Sequence, residues 1–213
     1  MARKHASNVQ QIQRVPYRPG EGYVIGTVRQ NMPGPNGEGS LNLMLRLDTA
    51  QVPERRYVAN AATAVYEGER VTIVFGQKKL GGMGYRSLLL LEMSTTYAHQ
   101  LIRASSELVT LVDKYLTEQN APRTEVSDID EDVPGQTITL AANIATAGHT
   151  GRDACMDFYY ASPFSVQIAA QGGDFAAEPV VRVTLPTSLM LALHQKLQSL
   201  KDSMPAEKLG DIK

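Results

Sequence analysis

Ala59-Asn-Ala-Ala-Thr-Ala-Val-Tyr-Glu-Gly68 returns eighty-three positions later as Ala142-Asn-Ile-Ala-Thr-Ala-Gly-His-Thr-Gly151. Carried on without a gap to Phe75 and Phe158, the alignment matches Ala59, Asn60, Ala62, Thr63, Ala64, Gly68 and Phe75 with their counterparts. Both stretches then lead into an apolar strand and an apolar-periodic helix: Leu88–Met93 then Ser94–Leu116, and Val180–Leu185 then Pro186–Leu200. The helix starts are offset by ninety-two, so the second copy carries nine extra residues before its last strand. A repeat of this length constrains the fold before any other feature does, because each copy is one supersecondary unit that needs its neighbour to bury its apolar face.

The first unit is expected to run strand Arg56–Tyr66, turn Glu67-Gly68, strand Arg70–Gln77, loop Lys78–Gly84, strand Tyr85–Met93, then helix. The shared glycine fits a tight hairpin, where positive φ costs it nothing. Ser94, Thr95 and Thr96 are N-cap candidates. Beyond them Tyr97, Leu101, Ala104, Leu108, Leu111 and Tyr115 form a stripe at helical spacing. The second unit is expected to have strands Gln136–Ala147, Asp153–Tyr160, Phe164–Ala170 and Val180–Leu185. A helix follows, with Pro186 in its first turn and Leu189, Leu193, Leu197 and Leu200 as its stripe. Before the repeat, Tyr23–Gln30 and Leu41–Asp48 read as strands, the latter alternating Leu with polar residues, around a Pro/Gly loop at Asn31–Ser40. The expected fold is α+β: two tandem antiparallel-sheet-plus-helix repeats related by a pseudo-twofold, with an extra N-terminal β-hairpin and a basic arm. The boundaries are 1–20 for the arm, 21–118 for the first unit, 119–135 for an acidic, solvated linker, 136–204 for the second unit and 205–213 for a tail.

The net charge of −1 conceals a division. Residues 1–104 carry thirteen Lys and Arg against seven acids, and residues 105–213 carry eight against fifteen. A basic first half favours either an anionic partner or head-to-tail contact with the acidic half of another subunit. No apolar run reaches the ~18–20 residues of a membrane span. The polar start Met1-Ala-Arg-Lys-His-Ala-Ser-Asn is unlike a secretory signal, so a cytoplasmic protein is expected. Cys155 is the single cysteine, which excludes an intramolecular disulfide and all-cysteine metal sites.

Residues that carry chemistry are sparse. His5, His99, His149 and His194 have no metal-binding spacing, and His99 and His194 read as surface or half-buried residues. No Gly-x-Ser-x-Gly elbow occurs, and Cys155 falls in a strand at a packing position. His149, Arg152, Asp153 and Asp157 form the most polar cluster of the second copy. The first copy has Tyr66, Arg70 and Val74 in place of His149, Asp153 and Asp157, so no paired site results. Neither catalytic residue, metal nor cofactor is assigned. The loop Lys78-Lys-Leu-Gly-Gly-Met-Gly-Tyr-Arg86 lacks the spacing of a nucleotide P-loop. Its cations suit phosphates and Tyr85 suits a base, which is the pattern of single-strand binding. Arg55, Arg56 and Tyr57 lie in the same half, and Arg18 adds to them from the arm.

Asp153-Ala-Cys-Met-Asp157-Phe158-Tyr, then Val180-Val-Arg-Val-Thr-Leu-Pro186-Thr and a leucine-rich helix, resembles a family of small bacterial proteins with no established activity. The likeness covers about residues 136–203; the first copy departs from it with Val74-Phe75 and Met93-Ser94. In topology, strands followed by a helix, twice over, is similar to Whirly and PUR-type proteins. That similarity implies single-stranded nucleic acid on the sheets and helix-mediated homo-oligomers. SecB-type export chaperones also combine sheets with long helices. The function expected is therefore non-enzymatic binding of single-stranded DNA or RNA, through Arg18, Arg55, Arg56, Tyr57, Lys78, Lys79, Tyr85 and Arg86. The alternative is a structural or protein-interaction subunit: a phage or mobile-element assembly protein, or a chaperone.

Overall fold

The computed structural model describes residues 27–32, 39–44, 52–79, 81, 84–126, 129, 137–165 and 177–205. The arm expected at 1–20, and Arg18 within it, lie outside these residues. Strands β1 (Thr27–Met32) and β2 (Gly39–Met44) pair antiparallel as the expected N-terminal hairpin. The chain continues through β3 (Arg56–Val58), β4 (Ala61–Glu67), β5 (Arg70–Lys78), β6 (Tyr85–Ser94) and helix α1 (Thr95–Glu118). It then forms β7 (Ile138–Ala141), β8 (Ile144–His149), β9 (Asp153–Tyr160), β10 (Glu178–Pro186) and helix α2 (Thr187–Leu200).

The protein is α+β, with two four-stranded sheets ordered β4-β5-β6-β7 and β3-β10-β9-β8. Neither is purely antiparallel, which corrects the expectation from sequence. β7 lies parallel to β6, and β3 lies parallel to β10. The cause is that each of the two long strands expected at 56–66 and 136–147 breaks in the middle and serves both sheets. At the first break the Ala59 N–H donates to Thr184 O in the second sheet, and the next N–H, of Asn60, donates to Gly76 O in the first. At the second break Ala142 N–H donates to Glu92 O in the first sheet, and Asn143 N–H to Tyr159 O in the second. The Ala-Asn pair common to the two stretches is thus a corner at which the chain changes sheets. Ala59 and Ala142 are 1% and 3% exposed, where a larger side chain would have no room. The asparagines bond the backbone across the corner: Asn60 Oδ1 accepts from Lys78 N–H at 2.8 Å, and Asn143 exchanges two bonds with Ala161, at 2.7 and 2.8 Å. Each outermost strand of one sheet therefore runs on into an outermost strand of the other.

The hairpin turns β4–β5 and β8–β9 both use glycine at positive φ, Gly68 at 62° and Gly151 at 100°. The helices also cross over. α2 packs on β4 and against α1, while α1 packs on β8. Ala62 and Ala64 on β4, and Ala147 on β8, are buried small residues that let the helices approach closely. α2 is buried on most of its circumference, including Leu189, Met190, Leu191, Ala192, Leu193 and Leu197. Pro186 is its N-cap, one position earlier than the sequence implied, and Thr187 N–H finds Arg152 O at 2.8 Å. α1 is capped by Ser94 Oγ, which accepts from Tyr97 N–H. Its buried stripe uses Val112 (0% exposed), and Leu111 (44%) faces out, a correction of one residue to the expected stripe. Residues 163–165 are helical, so Phe164 does not begin a strand; 166–170 lie outside the described residues.

A single apolar cluster spans both sheets and both helices. At its centre Phe75 on β5 and Phe158 on β9, each 0% exposed, meet edge to face with centroids 6.0 Å apart. Beyond α1 the chain does not simply leave for solvent. Arg123 pairs with Asp113 at 2.7 Å, Thr124 Oγ1 bonds Ser188 Oγ at 2.6 Å, and Ile129 lies against Gly76.

Candidate nucleic-acid interface

β3 is three residues long because it ends at the Ala59-Asn60 corner, and its side chains alternate. Arg55 and Arg56 are exposed, Val58 is exposed, and Tyr57 is half-buried against the apolar cluster. Lys78 closes β5, and Tyr85 and Arg86 open β6; Lys78 faces Tyr85 and Gln77 faces Arg86 across the hairpin. Lys79 N–H donates to Gly84 O at 3.1 Å, which shapes the loop. Gly76 has to be glycine because a Cβ there would stand 2.6 Å from Arg86 O.

The two basic stretches meet at the corner. Gln77 Nε2 donates to Val58 O at 2.8 Å, and Lys78 N–H donates to Asn60 Oδ1 at 2.8 Å. The sequence separates Val58 and Asn60 from Gln77 and Lys78 by a full hairpin, yet these two bonds tie the end of β3 to the end of β5. Lys78 and Arg86 are exposed, and Lys79 and Tyr85 are half-buried. Arg55 also lines a groove with Val52, Glu54, Pro179 and Val180. Tyr57 stands beside Val183 in the register of β3 with β10, and like Tyr85 it is half-buried.

A second polar group lies at the second sheet, and of the cluster that the sequence marks, His149, Asp153 and Asp157 line one cavity there. Asp157 is 8% exposed, and Arg182 donates to it twice, Nε to Oδ1 and Nη2 to Oδ2, both at 2.6 Å. The carboxylate holds the Arg182 guanidinium above its ordinary pKa. Cys155 Sγ sits 3.7 Å from Asp157 Oδ1. Burial pushes its thiol up, and the neighbouring carboxylate adds to that. Burial first and Asp157 second raise the Tyr159 hydroxyl to about 12. These groups, with Thr146, Thr184 and Val52, line a cavity of about 390 Å³. Cys155 is therefore on a cavity wall, not in plain strand packing. Arg182 is the side chain of this group that sequence reasoning misses, although buried Val181, Val183 and Leu185 alternate with it and so mark the opposite, inward face of β10.

His99 and His194, expected at the surface or half-buried, are buried, as is His149, because each sits at a junction with a helix. His99 Nε2 contacts Pro205 O at 3.1 Å; His194 on α2 meets Ser105 Oγ on α1 at 2.9 Å; His149 lies 6.0 Å from the Tyr115 ring. His149 Nδ1 accepts from Gly151 N–H, and its Nε2 has no partner among the described residues. Burial lowers the pKa of His149 and His194. The unfolded chain, with these groups near 6.5, then binds more protons below that pH than the native state does. The stability they contribute is complete above about 6.5 and is lost as pH falls below it. Thermal melts between neutral pH and mildly acidic pH are expected to show a falling Tm, and His194→Asn is expected to flatten that fall. An unchanged slope would mean that His194 is not held neutral.

Among the described residues no helix is long and apolar enough to cross a membrane, and no group of His, Cys, Asp and Glu is placed to hold a metal ion. No protein-family model, curated protein or solved structure matches the chain.

Proposed function

We propose that this protein binds single-stranded nucleic acid without catalysis, holding phosphates along the basic corner where β3 meets the β5–β6 hairpin. The observation that supports this reading is the pair of bonds from Gln77 and Lys78 to Val58 and Asn60, which ties the strand that follows Arg55 and Arg56 to the end of β5 that leads into the Lys78–Arg86 hairpin. Exposed Arg55, Arg56, Lys78 and Arg86 gain little from one another in water, whereas a phosphodiester chain releases counterions as it meets them. Tyr85, half-buried at the hairpin mouth, supplies a ring for stacking.

Fluorescence anisotropy with a labelled single strand at two salt concentrations tests the proposal. Replacing Lys78, Lys79 and Arg86 by Ala is expected to weaken binding evenly across oligonucleotide sequences. The log–log salt slope is expected to flatten by roughly 0.7 for each phosphate left without its cation. Tyr85→Ala is expected to cost about 1–3 kcal/mol and leave the slope unchanged, since stacking releases no counterions. Absence of binding by the wild type at low salt would sink the proposal.

The reading as an assembly or protein-interaction subunit draws on a different observation. Val58 and Phe164 are 64% and 69% exposed, and Val65 on the outer face of the first sheet is 38% exposed. Apolar side chains placed so openly suit a protein partner or a second copy of the chain. Sedimentation analysis of the wild type and of Phe164→Ser distinguishes this reading: a change in mass with the variant favours it.

A further inference from the structure

Corresponding rows of the two sheets are filled differently. Across the first sheet the row is Thr63, Val74, Leu90 and Thr139; across the second it is Thr146, Asp157, Arg182 and Arg56. Val74 stands eighty-three positions before Asp157, the same offset that matches the two Ala-Asn corners. One sheet thus fills its central outer position with an apolar pair and the other with an ion pair. Taking two charges out of water is costly, and an apolar pair of similar volume serves stability as well or better. The first sheet demonstrates that this architecture accepts the apolar solution. A sheet of this kind therefore does not require an ion pair in this row.

The groups left over after the pair forms define what it would hold. A guanidinium has five N–H donors, and two go to Asp157. Arg182, with donors beyond those two, lines the cavity together with Asp157, Thr146 and Thr184. A small anion would be repelled by Asp157 and would find Arg182 already neutralised. An apolar ligand would leave those donors and acceptors unsatisfied. An uncharged planar group with donors and acceptors along one edge satisfies both sets. The volume of about 390 Å³ lies within the range of about 300–1,000 Å³ typical of small-molecule sites. Arg56 is the in-register neighbour of Arg182 on β3, and Val52 lines both this cavity and the groove that holds Arg55.

We propose that this cavity takes one nucleobase of a bound strand, its polar edge read by the Arg182–Asp157 pair, while the adjoining phosphate lies on Arg56. The proposal rests on the nucleic-acid reading above and extends the strand's path from the basic corner over β3 to the second sheet. The decisive variant is the double substitution Asp157→Val with Arg182→Leu, which installs the pair that the first sheet already uses. Full-length protein is titrated with a labelled single strand and with an abasic strand of the same length. Wild type is expected to prefer the base-containing strand by about five- to a hundredfold. In a Tyr85→Ala background, where that ring can supply no stacking preference of its own, the double variant is expected to lose the preference that its parent shows, while melting no lower than its parent. Arg182→Lys, which keeps the charge but not the two-pronged geometry, is expected to lose most of it too, and serves if the double variant fails to fold. A folded double variant that keeps the preference in the Tyr85→Ala background, or a Tyr85→Ala parent that binds both strands equally, overturns the proposal while leaving the phosphate contacts of the basic corner intact. If wild type binds no strand, the nucleic-acid reading fails, and free nucleosides test the cavity alone. Amide shifts at Thr146, Cys155 and Asp157 would retain it, and their absence would overturn it.

Discussion

Phe158→Ala is expected to destabilise the protein by about 3–5 kcal/mol, the cost of a large aromatic removed from a core that cannot collapse around the gap. In a chain of this size that corresponds to a Tm lower by about 10–15 °C. Both Phe158 and Phe75 are fully buried, and their rings meet edge to face at 6.0 Å between the two sheets. Phe75→Ala is expected to cost a similar amount. Because the rings touch, the double variant is expected to fall short of the sum by about 0.5–1.5 kcal/mol, the worth of an aromatic contact beyond its buried area. Denaturant melts of the two single variants and the double variant measure this directly. Strict additivity would mean that the two sheets do not share a core at this point.

The second large effect is expected at one corner and not at the other. Asn143→Ala removes both a donor and an acceptor from Ala161, a residue only 2% exposed, and strands a buried N–H and a buried carbonyl. Its expected cost is about 2–4 kcal/mol. Asn60→Ala removes one bond, to Lys78 N–H at an exposed position where water can replace it, and is expected to cost no more than about 1 kcal/mol. Equal losses in the two variants would show that corner geometry, and not burial of the freed groups, sets the energy.

Most elements are legible in the sequence because their signals are local. Gly68 and Gly151 mark hairpins, Ser94 marks a helix start, and the apolar runs at 88–93 and 180–185 mark strands. What escapes is what depends on partners distant in sequence. The strand pattern runs without interruption through Ala59-Asn60, so nothing local announces that hydrogen bonding passes there from one sheet to the other. The exchange of helices between the sheets is hidden for the same reason. α1 misleads by one residue because Leu111 and Val112 both fit a helical stripe, and only the position of β8 decides between them. At the candidate site the cations of the loop are visible as a cluster, but the Gln77–Val58 bond that ties β3 to the end of β5 is not. Tyr57 looks like a stacking residue until register places it beside Val183, on the inward side of β3. Arg182 is invisible as a partner of Asp157 because the pairing is set by the alignment of β9 with β10, across a connection whose length hides the register.

The sheet-changing corners also bear on how the chain is made. β3 leaves the ribosome early, but its neighbour β10 is among the last elements to emerge. Until Arg182 is synthesised, Arg56–Val58 has no β10 to pair with, and the apolar face of β4 waits for α2 to cover it. A nascent chain released at the end of α1 would therefore carry an incomplete first sheet, short of β7 as well as of its helix. Contacts so distant in sequence make for slow closure and prolonged exposure of strand edges. Cutting the gene at the acidic segment would yield two unfinished halves, and expressing both together would be the way to recover a whole.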